Sequence, residues 1–151
     1  MAVQRDNPYA GFNFLVDLGD GIDPSSVAAG FAEVTGLGVS VAVVEYRNGN
    51  EKTNAPRKLP GLARAGEVRL RRGVIGSLSL FTWIQAAVTG QSAVYRTVTI
   101  QMQNEDHSAT VLTWKLFNAM PVSYSGPTLA AGTSAIAIEE LVLTCQSMSM
   151  E

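Results

Sequence analysis

Thr97-Val98-Thr99-Ile100-Gln101-Met102-Gln103, the polar run Asn104-Glu105-Asp106-His107-Ser108, and Leu112-Thr113-Trp114-Lys115-Leu116 decide the fold. Successive side chains of a strand point to opposite faces, so a period of two marks a half-buried strand. Val98, Ile100 and Met102 point one way; Thr97, Thr99, Gln101 and Gln103 point the other. Leu112, Trp114 and Leu116 alternate in the same way with Thr113, Lys115 and Phe117. Two such runs joined by a short polar loop predict an antiparallel hairpin.

The same period recurs along the chain. Phe12 to Leu18 reads as a first strand, stopped by the turn Gly19-Asp20-Gly21, and Phe31 to Val34 as a short second one. Val39, Val41 and Val43 alternate with Ser40 and Ala42 in a strand running to about Arg47, and Glu67 to Arg72 alternates again. Met120-Pro121-Val122 begins a further extended piece, closed by Ser125-Gly126-Pro127. The last strand spans about Ser134 to Gln146, with a bulge expected at Glu139-Glu140, where the apolar phase slips. One helix is expected between Ser77 and Gly90: Ser77 or Ser79 caps it, Leu80, Phe81, Ile84 and Val88 form its apolar face with Trp83 at the border, and Gly90 takes the C′ position. The segment from Asn48 to Ala65 contains Pro56, Pro60, Gly49 and Gly61, which argue against a helix or a central strand. It is expected to be a long exposed loop holding the turn Arg57-Lys58-Leu59-Pro60-Gly61, and loops of that length are usually functional. With no βαβ rhythm, the whole is a mainly β chain: an antiparallel barrel or two-sheet sandwich with one flanking helix and a long extended loop, in a single domain over residues 1–151.

Composition narrows the function. The chain has 151 residues, 11 Lys+Arg and 13 Asp+Glu, a net charge of −2, which recruits neither nucleic acid nor an anionic membrane. Its charged fraction is 16%, against about 25% in an ordinary soluble domain. Such a surface, rich in Gly, Ser, Thr, Asn and Gln, is expected to meet other protein as much as water. No apolar run approaches the ~20 residues of a membrane span, so no membrane insertion is expected. Cys145 is the single cysteine and no secretory h-region opens the chain, so assembly in the cytoplasm is expected.

Catalytic patterns are missing from the sequence. His107 is the one histidine and lies in a polar turn with no second ligand at metal spacing. Glu139 and Glu140 are adjacent and so face opposite sides of a strand. No catalytic, cofactor-binding or metal residues are expected, and the chain is not expected to be an enzyme. Arg57, Lys58, Arg64, Arg69, Arg71 and Arg72 form a basic cluster. Without interleaved aromatics, it reads as a charged edge that pairs with acids of a neighbouring copy.

Several motifs then fall into a familiar order. Asn7-Pro8-Tyr9 precedes Phe12-Asn13-Phe14-Leu15-Val16; Gly30-Phe31-Ala32-Glu33-Val34-Thr35-Gly36-Leu37 follows; then come Val44-Glu45-Tyr46-Arg47-Asn48-Gly49 and Arg57-Lys58-Leu59-Pro60-Gly61. Leu70-Arg71-Arg72-Gly73-Val74, the Trp83-Ile84 helix, Trp114 to Pro121 and Ile138-Glu139-Glu140-Leu141 complete the set. Together they resemble the tail-tube proteins of contractile phages and phage-tail-like injection systems over nearly the whole chain. The resemblance implies a structural subunit that forms hexameric rings stacked into a hollow tube, inside a contractile sheath and on a baseplate and spike, with DNA or protein cargo in the channel. The alternatives are a tube-initiator paralogue at the baseplate or, in another class, a small-ligand-binding β-barrel. On the tube reading, Asn7, Pro8, Tyr9, Tyr46, Arg47, Arg57, Lys58, Leu59, Pro60 and Gly61 are expected to contact neighbouring subunits or rings, and Thr97, Thr99, Gln101 and Gln103 to face the lumen.

Overall fold

The structure is a computed structural model that describes residues 2–91 and 94–151. Among them the strands are β1 (Phe14–Asp17), β2 (Glu33–Thr35), β3 (Val39–Tyr46), β4 (Arg57–Ala65), β5 (Val68–Gly73), β6 (Arg96–Gln103), β7 (Thr110–Ser125), β8 (Ile138–Thr144) and β9 (Ser147–Met150), with an α-helix, α1 (Ser79–Val88), and a 3-10 turn, Val27–Ala29. The hairpin forms as its alternation requires: β6 and β7 pair antiparallel, with Val98 opposite Leu116, Ile100 opposite Trp114 and Met102 opposite Leu112 on the core side.

Strand β7 belongs to two sheets. Its first half pairs with β6 and β9, and its second half with β8, giving a path β1-β6-β7-β8-β5-β2 with β9 beside β7. The change of sheet falls at Asn118, which adopts φ 51 where the register with β6 slips between Arg96 and Val98. An asparagine tolerates this left-handed backbone, and the extra residue bends the strand. The extended piece expected after Met120 is therefore the same strand, not a new one. The slip expected on β8 at Glu139-Glu140 lies instead on β7, between Pro121 and Ser123. The two ends of the path, β1 and β2, do not pair, so the barrel stays open and the architecture is sandwich-like.

Val16, Val68, Leu70, Leu80, Trp83, Val98, Ile100, Leu116, Leu141 and Leu143 pack between the sheets, all but inaccessible to water. Helix α1 contributes Leu80 and Trp83, the latter donating its indole N–H to the Val94 carbonyl at 2.7 Å. Phe81 and Val88, expected on the buried face, are exposed. The helix turns its Trp83 side inward because the indole there finds both an apolar pocket and an acceptor. Neither serine is the N-cap. Leu78 holds that position, and the Ser77 hydroxyl receives only a long 3.4 Å bond from the Ser79 amide. Gly90 does end the helix, at φ 72, with the Gln91 amide returning to the Ala86 carbonyl. No helix among the described residues is long and apolar enough to cross a membrane.

The largest departure from the sequence reading is the segment expected as a long loop. Its second half, Arg57–Ala65, is strand β4, paired antiparallel to β3 from Val39–Ala65 to Tyr46–Arg57. Arg57-Lys58-Leu59-Pro60-Gly61 is thus extended strand, not a turn. Proline is tolerated because the pair is a separate two-stranded sheet whose strands are both edges. Gly61 and Leu62 together oppose Ala42, a bulge that breaks the ladder beside Pro60. A Cβ at Gly61 would meet the Ala42 carbonyl oxygen at 3.0 Å, so any side chain there would require the facing backbone to shift by a few tenths of an ångström. Gly19-Asp20-Gly21 ends β1 as expected, and because β1 pairs with β6 the chain runs on from it to the 3-10 turn.

Candidate functional site: an exposed arm and the network that fixes the body

Strands β3 and β4 form an arm. Every residue of β3 is exposed, as is every residue of β4 except Ala65. Cross-strand partners share a face. One face presents Val39, Val41, Val43, Pro60 and Ala63; the other presents Val44 and Tyr46 opposite Leu59 and Arg57. Val43 is 63% exposed, Tyr46 51%, and Leu62, in the bulge, 78%. An isolated two-stranded ribbon is marginal in water, and a contiguous exposed apolar surface marks an interaction site.

The root of the arm is held by close backbone contacts. The Gly66 amide donates to the Gly38 carbonyl at 2.7 Å. Gly36 lies at φ +85, and a Cβ there would sit 1.9 Å from the Glu67 carbonyl oxygen, so this position admits no side chain. The tip is ordered by Arg47, which donates to the Thr53 and Glu51 carbonyls, both at 2.9 Å. Arg57 pairs with Glu51 at 2.8 Å, and Tyr46 donates its hydroxyl to Asn48. Of the residues expected at contacts, the arm thus unites Tyr46, Arg47, Arg57, Lys58, Leu59, Pro60 and Gly61. It gives Arg47 and Arg57 a role inside the chain, while Lys58 and Leu59 point to solvent.

Asn7, Pro8 and Tyr9 lie apart from the arm. Arg5 stacks 3.7 Å over the Tyr9 ring, donates to the Asn7 and Pro8 carbonyls at 2.7 Å, and clasps Glu105 of the β6–β7 loop at 2.5 and 3.0 Å. The Val3 amide donates to the Val111 carbonyl on the edge of β7. The Arg5 hydrogen bonds hold the Glu105 carboxyl at about 2, below its ordinary 4.5. A carboxyl lowered by folding stabilises above its unfolded value and loses that contribution as the pH falls toward the folded one. Acidification from 4.5 toward 2 is therefore expected to release the N-terminal segment while the sheets stay intact. The readout is the protection of the Val3 amide against hydrogen exchange, relative to an unstructured peptide at the same pH, which falls across that window in the native chain; in Glu105→Gln it is already low at pH 7.

Thr97, Thr99, Gln101 and Gln103 lie on the face of β6 turned away from the core, next to Leu15 and Asp17 of β1 and Thr113 and Lys115 of β7. Lys115 pairs with Glu151 at 3.1 Å, so this surface is polar and nearly neutral.

The sequence reading missed a buried network in the body. Arg72 and Glu139 are 1% and 4% exposed and pair at 2.6 Å. Arg72 also donates to the Ala28 carbonyl at 2.9 Å and the Ser79 hydroxyl at 3.4 Å, and its guanidinium lies 5.6 Å from the Phe31 ring centroid. Tyr124 donates to the second Glu139 oxygen at 2.6 Å, which pushes the phenol above its usual range. The signal was present: Arg72 is in phase with Val68 and Leu70, and Glu139 with Leu141 and Leu143. The rest of the basic cluster also differs from expectation. Arg57, Arg69 and Arg71 pair with Glu51, Glu140 and Glu33 of their own chain, leaving Lys58 and Arg64 outside the described ion pairs. Cross-strand register brings Glu33 and Glu140 within reach of Arg71 and Arg69, and the arm tip brings Glu51 to Arg57, so no second copy is needed for these pairs. His107 sits at φ 60 in the hairpin turn, bonded to Gln103, and burial pushes the half-buried Cys145 thiol up, away from the reactive thiolate.

Comparison with known proteins agrees with this geometry. A search of curated proteins finds no match. Among solved structures, the chain is similar to one in the sheath–tube complex of an extracellular contractile injection system, PVC, in its extended state: 30% identical over 95% of this chain and 91% of that one, TM-score 0.81. It is also similar to a chain of the anti-feeding prophage tube terminating cap, 25% identical over 100% and 95%, TM-score 0.82. Hcp1 from Flavobacterium johnsoniae, 18% identical over 91% and 93% with TM-score 0.54, shares the fold. The first two are structural proteins of tail-like particles, not enzymes. The family model for the T4-like virus tail tube protein gp19 matches residues 10–149, and the chain belongs to that family of tail tube proteins.

Proposed function

We propose that this chain is the main tube subunit of a contractile injection system or contractile phage tail. Six copies close a ring, and rings stack head to tail around a channel for protein or DNA cargo, inside a sheath and above a baseplate and spike. The particle assembles in the cytoplasm of the producing cell. The observation that carries the reading is the arm, a ribbon apolar on both faces and unprotected at both edges, which is a liability in a monomer and an asset in a polymer. Ring closure is supported by strand sense. The sheet holding β1, β6, the first half of β7 and β9 has four strands that alternate in direction, with free edges at β1 and β9. An even number brings β9 of one copy antiparallel to β1 of the next, so the alternation continues around a ring of any size. The neutral Thr97-Thr99-Gln101-Gln103 face then lines the lumen.

A second reading, a terminator or initiator paralogue, is favoured by the likeness to the anti-feeding prophage cap and baseplate chains. Negative-stain microscopy of the purified chain separates the two. A main tube subunit is expected to give hexameric rings and stacked tubes without other proteins. Single rings that never stack support the paralogue, and a strictly monomeric species at high concentration in several buffers overturns both.

A further inference from the structure

Of the seven asparagines in the chain, Asn48 alone is followed by glycine. The Asn48-Gly49 step lies at the tip of the arm, in a turn closed by the Glu51 amide on the Asn48 carbonyl at 3.2 Å. The Asn48 side-chain oxygen accepts the Tyr46 hydroxyl, while its side-chain nitrogen donates to nothing among the described residues. The Gly49 amide likewise has no acceptor among the described residues, and a Cβ on Gly49 would meet no atom within 4 Å, so the approach to this backbone nitrogen is open. The surroundings are cationic: residues 45–58 carry Arg47, Lys52, Arg57 and Lys58 against Glu45 and Glu51. The other asparagines differ. Asn13, Asn104 and Asn118 commit their side-chain nitrogens to the Asn104 and Glu105 carbonyls, to Ser108 and to Gln146. Asn7 precedes a proline, which has no amide proton to lose. Asn50 precedes Glu51, whose amide is already held in the turn.

We infer that Asn48 is a site of self-modification: the Gly49 nitrogen closes on the Asn48 side chain with help from Tyr46, and the tip converts to aspartate and isoaspartate without an enzyme. The Gly49 amide gives its proton to a solvent base, and its nitrogen bonds to Cγ of Asn48 while the carbonyl electron pair moves onto Oδ1. That oxygen now carries the negative charge, where the Tyr46 hydroxyl already donates, so this hydrogen bond is stronger in the transition state than in the resting chain. The cations nearby favour the amide anion. The Cγ–Nδ2 bond then breaks, the nitrogen leaves as ammonia with a proton from solvent, and a cyclic imide remains. Water opens the imide at either carbonyl, giving aspartate or isoaspartate at position 48. The net exchange is water in and ammonia out, with no oxidant, reductant or cofactor. Glycine is needed next to the asparagine because a side chain on the attacking residue crowds the closing ring. Isoaspartate lengthens the main chain inside the turn that Arg47 braces through the Thr53 and Glu51 carbonyls, so conversion undoes the order of the tip. A consequence that rests on the tube reading above is that converted subunits enter assemblies less readily than fresh ones.

The test is peptide mapping by mass spectrometry of the full chain, held warm in mildly alkaline buffer, with isoaspartate read by enzymatic methylation. Asn48 is expected to convert before Asn50 and Asn54, its neighbours on the same exposed tip. Gly49→Ala is expected to slow the conversion by at least about tenfold, because ring closure depends on the approach of the attacking nitrogen. Gly49 does not need a positive φ and has open space around it, so alanine leaves the turn in place. Tyr46→Phe is expected to slow it about fivefold, the worth of one net hydrogen bond. Circular dichroism identical to that of the parent confirms that both variants fold. A stable Asn48, or Asn50 and Asn54 converting as fast, overturns the site. Tyr46→Phe converting as fast as the parent overturns the assistance by the hydroxyl. Sedimentation of a partly converted pool is expected to leave the converted chains in the supernatant. Pellet and supernatant converted to the same extent overturn the consequence for assembly, and a parent that never assembles overturns the tube reading while the chemistry at Asn48 stands.

Discussion

Leucine at Arg72 or at Glu139 alone is expected to destabilise the body by about 3–5 kcal/mol, and leucine at both to cost less than either single change. The argument turns on what each substitution leaves behind. Glu139→Leu strands a guanidinium that is 1% exposed, with only neutral acceptors, the Ala28 carbonyl and Ser79 hydroxyl, in reach. Arg72→Leu strands a carboxylate whose remaining donor is the Tyr124 hydroxyl. An unpaired charge at such depth costs several kcal/mol, more than the pair gains over an apolar replacement. The double variant removes both charges and fills the space with aliphatic carbon beside Leu70 and Leu141, which already pack there. Its remaining costs are an orphaned Ala28 carbonyl and Tyr124 hydroxyl, about 1–3 kcal/mol together. Urea unfolding of the four chains of this cycle, below the concentration of assembly, measures the coupling. Additive single effects would show that the two side chains act independently.

This network also explains why part of the molecule was legible and part was not. Strands whose partners are close in sequence and whose faces differ in polarity, such as β6 and the first half of β7, declare themselves through alternation. So did Glu139 and Glu140 on opposite faces: the structure sends the first to Arg72 inside and the second to Arg69 and Arg71 outside. Alternation fails where both faces are alike. On β4, Leu59, Pro60, Leu62 and Ala63 show no period of two, because neither face meets a core of the same chain, and Pro60 and Gly61 read as breakers. The helix failed more narrowly. Leu80 and Ile84 belong to two overlapping stripes, one with Phe81 and Val88 and one with Trp83 and Ala87, and what chose between them was a hydrogen bond to Val94, eleven residues on. Of the residues expected at contacts, those on the arm stand out in the sequence for their irregularity, whereas Val39, Val41, Val43 and Leu62 of the same exposed ribbon read as ordinary strand and loop.

Excising the arm is expected to abolish assembly while sparing the body, the largest functional effect any single change should produce. The root makes the excision feasible. Val39 pairs with Ala65, and the Gly66 amide already bonds the Gly38 carbonyl at 2.7 Å, so the ends to be joined are neighbours. An Asn-Gly turn replacing residues 40–64 closes them with the backbone twist a tight hairpin wants. Nothing in the buried cluster comes from β3 or β4. The body should therefore keep its unfolding midpoint within a few degrees, since about 1 kcal/mol moves a domain of this size by roughly 2–8 °C. It also sheds a surface on which Val43 and Leu62 stand largely in water, so solubility should rise. Assembly should fall at least about a hundredfold, because the excised ribbon presents contiguous apolar area and a net charge of +3 at once. Sedimentation separates the outcomes. A folded variant that stays small at concentrations where the parent pellets as tubes is the expected result, and tubes of normal length from an armless chain would move the site of self-association to the sheet edges at β1 and β9.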